Sequence, residues 1–165
     1  MNSTPRLGLP FLSAGQAQKE IFHNEALQAL DSVVAGAVEE GPTNTPPDDP
    51  SLGACYLLDV SPTGSWAGQS LCLAAWTSGG WRFTQPLEGM CLFVRSSDKW
   101  AVYRAGSWEV GMLRGSSVTL DGKQVVGSRL GAIGDPTGGA IVDTEARSTL
   151  SAVLSALRQH GLIET

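Results

Sequence analysis

The chain has 165 residues, of which 42% are apolar and only 16% charged, and its net charge is −5. This length suits one domain, or a compact sheet with helical extensions, and leaves little room for two full domains. The lysines and arginines are scattered along the chain, so nucleic-acid binding, which needs a basic surface against the phosphates, is not expected.

Hydropathy and charge also bear on the environment of the chain. No apolar run reaches the roughly 20 residues that span a bilayer, and the first residues lack the charged-then-apolar pattern of a signal peptide. We therefore expect neither membrane insertion nor secretion by that route. The low charged fraction, against about a quarter in ordinary domains, favours a chain that covers surface in an assembly. A monomer covered by Ser, Thr, Gly and Gln is the alternative.

The first predicted element is a helix from Ser13 to about Glu40. Apolar residues recur at helical spacing, Ser13 and Gln16 match a capping box, and a Gly-Pro pair follows the pattern. We interpret residues 1–40 as an amphipathic arm for anchoring or oligomerisation, with packing of the helix on its own sheet as the alternative. The residues assigned to anchoring are Gln16, Gln18, Lys19, His23, Asn24, Glu25, Leu27 and Leu30.

A proline-rich segment and a β region follow the arm. Residues 41–52 contain four prolines and predict a stiff, extended linker. From residue 53 to residue 127 the apolar period changes to two, which predicts short antiparallel strands separated by turns. Residues 128–165 are predicted to form a loop and a second helix.

The β region contains an internal repeat. Residues 74–83 align without gaps on residues 101–110, and the stretch 53–60 aligns in the same way on 89–96. The difference in spacing equals the nine residues 61–69, which include Trp66. The sequence therefore predicts a three-strand unit that occurs twice, with an insertion in the first copy.

Turn and cap residues define the remaining elements. Asp121-Gly122 predicts a two-residue hairpin with positive φ at both positions. Asp143 is a favourable N-cap for the second helix, and Gly161 with Leu162 predicts a Schellman-type end. The expected fold class is α+β: a small antiparallel sheet domain of two three-strand units and a hairpin, with an N-terminal helical arm and a C-terminal helix.

The cysteines do not suggest a metal or disulfide site. Cys55, Cys72 and Cys91 lie in apolar strands without a nearby Cys or His partner. This spacing fits neither a zinc site nor a disulfide framework, so we expect three buried, reduced thiols and no cofactor.

The acidic residues of the β region are the only basis for an enzyme hypothesis. Cleavage of a glycosidic bond needs two carboxyl groups about 5 to 10 Å apart across a cleft. Glu88, Asp98 and Glu109 lie in or beside the predicted sheet, but in turns or on solvent-facing positions. We therefore expect the chain not to be an enzyme.

Aromatic residues concentrate between residues 56 and 108. On one face of a sheet, flat rings could stack on sugars or pack between subunits, whereas the alternative is that they form the core. We expect Trp81, Phe83 and Trp108 in the core, and Trp66 exposed on its glycine-flanked insertion. The residues assigned to a glycan-binding surface are Trp66, Trp76, Trp100 and Tyr103.

The segment LGLPFLSAGQAQKEIFHNEALQALD, residues 7–31, resembles the start of a family of phage, prophage and gene-transfer-agent proteins of unknown function. Members of that family typically open with LGLP, AGQAQK and HNEAL motifs. The likeness continues through residues 64–69, 74–83, 124–127 and 143–163, and so covers nearly the whole chain. The resemblance implies a particle component, since such proteins occur among tail-fibre or head-spike genes and such spikes are thought to touch host polysaccharide. It supplies no catalytic residues.

The resulting hypothesis is a homo-oligomeric head-spike or tail-fibre subunit that contributes to attachment to host surface polysaccharide. It would be assembled in the bacterial cytoplasm into a virion or phage-like particle, with capsid, portal, tail or fibre proteins as partners. One alternative is a non-adhesive base or adaptor that anchors a separate receptor-binding fibre. Another is a small polysaccharide-degrading enzyme.

Overall fold

The computed structural model describes residues 3–13, 15, 19–139 and 143–164. Two compact units are present, residues 1–112 (unit 1) and residues 113–165 (unit 2). Within these residues, two α-helices and sheets of four, four and two strands confirm the predicted α+β class. In chain order the elements are α1 (Lys19–Val34), β1 (Ala37–Val38), β2 (Glu40–Thr43), β3 (Cys55–Leu58), β4 (Leu73–Thr77), β5 (Gly80–Thr84), β6 (Cys91–Val94), β7 (Lys99–Arg104), β8 (Ser107–Val110), β9 (Val118–Leu120), β10 (Lys123–Val126) and α2 (Thr144–Gln159).

The first helix is shorter than predicted. It ends at Val34, and Gly36 then takes the left-handed conformation, with φ of 65°. The following residues form β1 and β2, which pair in parallel with β6 and β3. The predicted helix end near Glu40 is therefore wrong, because pairing with distant strands overrides the local apolar spacing. The first residues of the predicted linker lie in β2, and the capping residue Gln16 lies outside the described residues.

The two four-stranded sheets have the same architecture. Their strand orders are β2-β3-β4-β5 and β1-β6-β7-β8, so each consists of one short parallel strand and one antiparallel three-strand unit. Their registers are also equivalent. Cys55 pairs with Ala75 in the first sheet, and the residues that align with them in the repeat, Cys91 and Val102, pair in the second. The structure thus confirms the repeat, with β3, β4 and β5 as the first copy and β6, β7 and β8 as the second.

Each repeat has two faces, which we call face A and face B. Neighbouring residues of a strand point to opposite faces, so equivalent residues of the two copies define the same face. Face A carries Cys55, Leu57, Leu73 and Ala75 in the first repeat and Cys91, Phe93, Trp100 and Val102 in the second. Face B carries Tyr56, Leu58, Ala74 and Trp81 in the first repeat and Leu92, Val94, Ala101 and Trp108 in the second.

The main core lies between unlike faces of the two repeats. Face A of the first repeat packs against face B of the second, together with Val38 of β1. The indole N–H of Trp108 in this core donates a hydrogen bond of 2.8 Å to the carbonyl of Leu71. The two copies therefore stack in the same sense and are not related by a two-fold axis. One face B and one face A are left outside this core.

The insertion covers the remaining face B. Trp66 is 0% exposed and lies in a core cluster with Leu58, Cys72 and Ala74. Its ring centroid is 5.1 Å from that of Trp81. The prediction that Trp66 is exposed is wrong, because the glycine-flanked loop folds back over the sheet and places the indole against it. Trp81 and Phe83, expected in the core, are half-buried around this cluster, and Trp108 is buried as predicted.

Unit 2 contains the predicted hairpin and the second helix. Asp121 and Gly122, between β9 and β10, have φ of 47° and 73°, as the two-residue turn requires. The carboxylate of Asp143 accepts a hydrogen bond of 2.9 Å from the backbone N–H of Ala146 and so caps α2. Both predictions are confirmed.

The end of α2 is a Schellman motif, as predicted. Gly161 has φ of 69°, and the N–H of Leu162 donates to the carbonyl of Leu157 at 2.9 Å. Among the residues that the structure describes, no helix combines the length and apolar content needed to cross a bilayer.

Candidate functional site

Face A of the second repeat is the surface that the sheet stacking leaves outside the core, and we call it the open face. Its members are Cys91, Phe93, Trp100 and Val102. Trp100 is 52% exposed, Cys91 is exposed, and Phe93 and Val102 are half-buried. The equivalent residues of the first repeat are all buried. A sheet face built to be covered in one copy is therefore accessible in the other.

An aromatic pair forms the centre of the open face. Phe93 is directly paired with Trp100 across β6 and β7. Their ring centroids are 5.4 Å apart and their planes meet at 69°, an edge-to-face contact that restricts the orientation of the indole. Arg104 and Glu109 form an ion pair of 3.5 Å on the same side of the sheet. The result is an apolar platform with a charged border, a form suited to a flat apolar partner.

The four predicted glycan-binding residues do not share one surface. Trp66 is buried, and Trp76 lies beside Trp81 on face B of the first repeat, with ring centroids 5.0 Å apart. Tyr103 packs against the main core. Trp100 alone belongs to the open face. The sequence did not reveal that Phe93 accompanies it, although the repeat alignment already pairs Phe93 with the apolar residue Leu57.

The three thiols have different environments. Burial raises the pKa of Cys55 to about 11, although the guanidinium of Arg6, 3.2 Å from its sulfur, opposes that effect. Burial also raises the pKa of Cys72. Cys91 is exposed, so the prediction of three buried thiols is wrong for this residue, because it occupies the open face. Within the described ranges, no group of three or more His, Cys, Asp or Glu side chains is placed to hold a metal ion.

The acidic residues considered for an enzyme have structural contacts in the second repeat. Glu88 accepts a hydrogen bond of 3.0 Å from the backbone N–H of Ala105 in the β7–β8 turn. Glu109 forms its ion pair with Arg104, and Asp98 lies in the β6–β7 turn with φ of 56°. The carboxylates of Glu88 and Glu109 thus have structural contacts within the second repeat.

A second candidate surface lies on α1, which is attached to its own unit by its polar side. The carboxylate of Asp31 is buried and accepts hydrogen bonds from the hydroxyl of Thr4 at 2.7 Å and from the backbone N–H groups of Arg6 and Leu7 at 3.1 and 2.6 Å. The guanidinium of Arg6 donates to the carbonyl of Ser32 at 3.2 Å. A polar network therefore holds the segment before α1 against the helix.

The opposite side of α1 is apolar and exposed. Phe22, Ala26, Leu30 and Val34 follow one another at intervals of four residues, which places them along one side of the helix. All four are exposed, and Phe22 is 80% exposed. An exposed row of apolar side chains is a form that interaction sites commonly take. We call these four residues the α1 stripe.

The predicted anchoring residues divide between these two sides. The side-chain amide of Asn24 is hydrogen-bonded to both backbone groups of Leu12, and Glu25 forms an ion pair of 3.3 Å with Arg82. α1 is thus packed on its own unit, the alternative considered from the sequence, and it also presents an outer surface. Of the other residues assigned to anchoring, Lys19, His23 and Leu30 are exposed, Leu27 is half-buried, and Gln16 and Gln18 lie outside the described residues.

One family model matches the two repeats and most of α1. The model of the family named Protein of unknown function (DUF2793) matches residues 23–109. The chain belongs to this family. The DUF2793 match extends from α1 to β8 and ends before unit 2. Searches of the curated proteins and of the solved structures return no match for this chain.

Proposed function

We propose that this DUF2793 chain is a structural, non-catalytic subunit of a phage-like particle, of the head-spike or tail-fibre kind. The resemblance of residues 7–31 to phage and gene-transfer-agent proteins supports the type of particle. The observation that carries the proposal is the α1 stripe. A helix whose polar side is bonded to its own unit, and whose outer side is apolar, is suited to docking on another protein.

The partner in this role is a neighbouring protein of the particle, such as a capsid, portal, tail or fibre subunit. The stripe is a narrow row of apolar side chains, a form that fits a groove between helices or beside a sheet. Because Phe22 is large and strongly exposed, it is the natural anchor of such an interface. Trp66 was the main candidate for direct sugar binding, but its side chain is buried and cannot contact a sugar. Its burial therefore favours the alternative of a non-adhesive base or adaptor.

Particle incorporation tests this function. Particles are purified from cells that express either the wild-type chain or the variant Phe22→Asp/Leu30→Asp, and the chain is quantified by immunoblotting. We expect the variant to fold, since both side chains are exposed, and its content in particles to fall by about tenfold or more, or ~1.4 kcal/mol. Leu87→Asp, which charges another exposed leucine of unit 1, is the control and should incorporate normally. Absence of the wild-type chain from particles, or normal incorporation of the double variant, would contradict the proposal.

Attachment to host surface polysaccharide is the second candidate function, and the Phe93–Trp100 pair favours it. An exposed indole held by a second ring can stack on the apolar face of a sugar. Purified protein is titrated with host capsule, and Trp100→Ala should weaken binding about tenfold. Phe22→Ala, which removes an exposed ring outside the open face, is the control. Equal binding by Trp100→Ala and the wild type would exclude the open face as the adhesive surface and leave the adaptor role.

A further inference from the structure

Unit 2 has almost no core of its own. Among its described residues only Ile163 is buried, and none of α2 is. The hairpin of β9 and β10 forms a two-stranded sheet, which is marginal in water, and so is an isolated helix of 16 residues. Additional contacts are therefore required to stabilise this unit.

One side of α2 is already occupied by unit 2. The guanidinium of Arg158 forms an ion pair of 3.0 Å with Asp135, and that of Arg147 donates to the carbonyl of Gly138. Leu154 is half-buried on the same side. These contacts attach the helix to the loop before it and leave another side of α2 accessible.

The accessible side carries a heptad pattern. Ala146, Leu150, Val153 and Leu157 are spaced by four, three and four residues, the alternation of the d and a positions of a coiled coil. Leu150 and Val153 are 52% and 50% exposed, Ala146 is exposed, and Leu157, beside the Schellman end of the helix, is half-buried. We call these four residues the α2 seam. Intervals that alternate between four and three residues keep these side chains along one side of the helix, which a second helix with the same spacing fits.

We propose that unit 2 self-associates through the α2 seam, and that the occupant of the seam is α2 of a second copy of this chain. Thr149 and Ala156 at the flanking g positions and Leu154 at one e position are uncharged, and Arg147 at the other e position donates to the carbonyl of Gly138. The side away from the seam carries Ser148 and Ser155 rather than the lysines and arginines of a helix that lies on a membrane. The inference builds on the proposed structural role, since it names the segment through which such subunits associate.

The first test measures the mass of the purified full-length chain by light scattering over a range of concentrations. The wild type should form an oligomer of at least twice 17.3 kDa, and Leu150→Glu/Val153→Glu should shift the midpoint of dissociation at least tenfold to higher concentration. Ser148→Glu/Ser155→Glu adds the same charge to the same helix outside the seam and should associate like the wild type. Every tryptophan lies in unit 1, so unchanged tryptophan fluorescence would show that unit 1 of each variant remains folded.

A cross-linking test gives an independent readout. In a parallel seam each Leu150 lies beside Leu150 of the second copy, so Leu150→Cys in a Cys91→Ser background should form disulfide-linked dimers on mild oxidation. Ser155→Cys in the same background should not. A wild type that stays monomeric at all concentrations, or equal cross-linking at both positions, would overturn the inference. Particle incorporation, measured separately, would still decide the proposed function in that case.

Discussion

The two repeats of unit 1 have equivalent strands and registers, yet opposite faces of them are buried in the main core. In the first repeat face A is covered by the second sheet, and face B is covered by the insertion with Trp66. In the second repeat face B is covered, and face A presents Phe93 and Trp100. Sheets that stack through unlike faces leave one unpaired face at each end of the stack. Each of those two faces must be either covered by another segment or exposed. The insertion covers the outer face of the first repeat, whereas the outer face of the second repeat is exposed.

Removal of the Trp66 side chain should destabilise the first repeat more than any other change considered. Trp66→Ala deletes a fully buried indole from the second core cluster and leaves a cavity among Leu58, Cys72 and Ala74. We expect the free energy of unfolding to fall by about 3 to 5 kcal/mol, measured by urea denaturation. A loss below about 1 kcal/mol would mean that the insertion is a dispensable loop.

Equivalent positions of the two repeats should differ in their contribution to stability. Leu73 and Trp100 align in the repeat, but Leu73 is fully buried and Trp100 lies on the open face. Leu73→Ala should lower the free energy of unfolding by about 2 to 5 kcal/mol, and Trp100→Ala by only about 1 kcal/mol or less, although it removes the larger side chain. Similar losses for both variants would contradict the assignment of the two faces.

The smallest expected effect concerns Cys55 at alkaline pH. Burial raises the pKa of this thiol from 9.0 to about 11, so the folded state binds its proton more tightly than the unfolded state does. The corresponding stability is fully present below pH 9 and is lost as the pH rises toward 11, because unfolding then releases the proton. Cys55→Ala should reduce the loss of melting temperature over this range relative to the wild type. An unchanged alkaline profile would show that Cys55 does not contribute to it.

The sequence predicted the local elements well and the packing of the faces poorly. The gapless alignment of residues 74–83 on 101–110 predicted the shared register, and Asp121-Gly122 predicted the hairpin, because both depend on local geometry. The choice of faces could not be predicted, since Cys55 and Leu57 on one face are about as apolar as Tyr56 and Leu58 on the other. The buried face of a strand is normally predicted from the alternation of polar and apolar residues. These strands are apolar on both faces, so their sequences lack that alternation.

The other errors have a related origin in contacts between distant segments. β1 and β2 are short, and their partners β6 and β3 lie beyond the proline-rich segment, so local spacing favoured a helix there. Trp66 is flanked by Gly64 and Gly68, a context typical of an exposed loop, and only the sheet beneath it explains its burial. The open face was missed in part for the same reason, because Phe93 and Trp100 meet only across the paired strands.

Thiol labelling of the native protein tests the opposite use of the two faces most directly. Cys55 and Cys91 are equivalent in the repeat, but Cys55 is buried and Cys91 is exposed. After brief treatment with iodoacetamide, peptide mass spectrometry should find Cys91 modified, with Cys55 and Cys72 protected until the protein is denatured. Rapid modification of Cys55, or protection of Cys91 in the native free chain, would contradict the account.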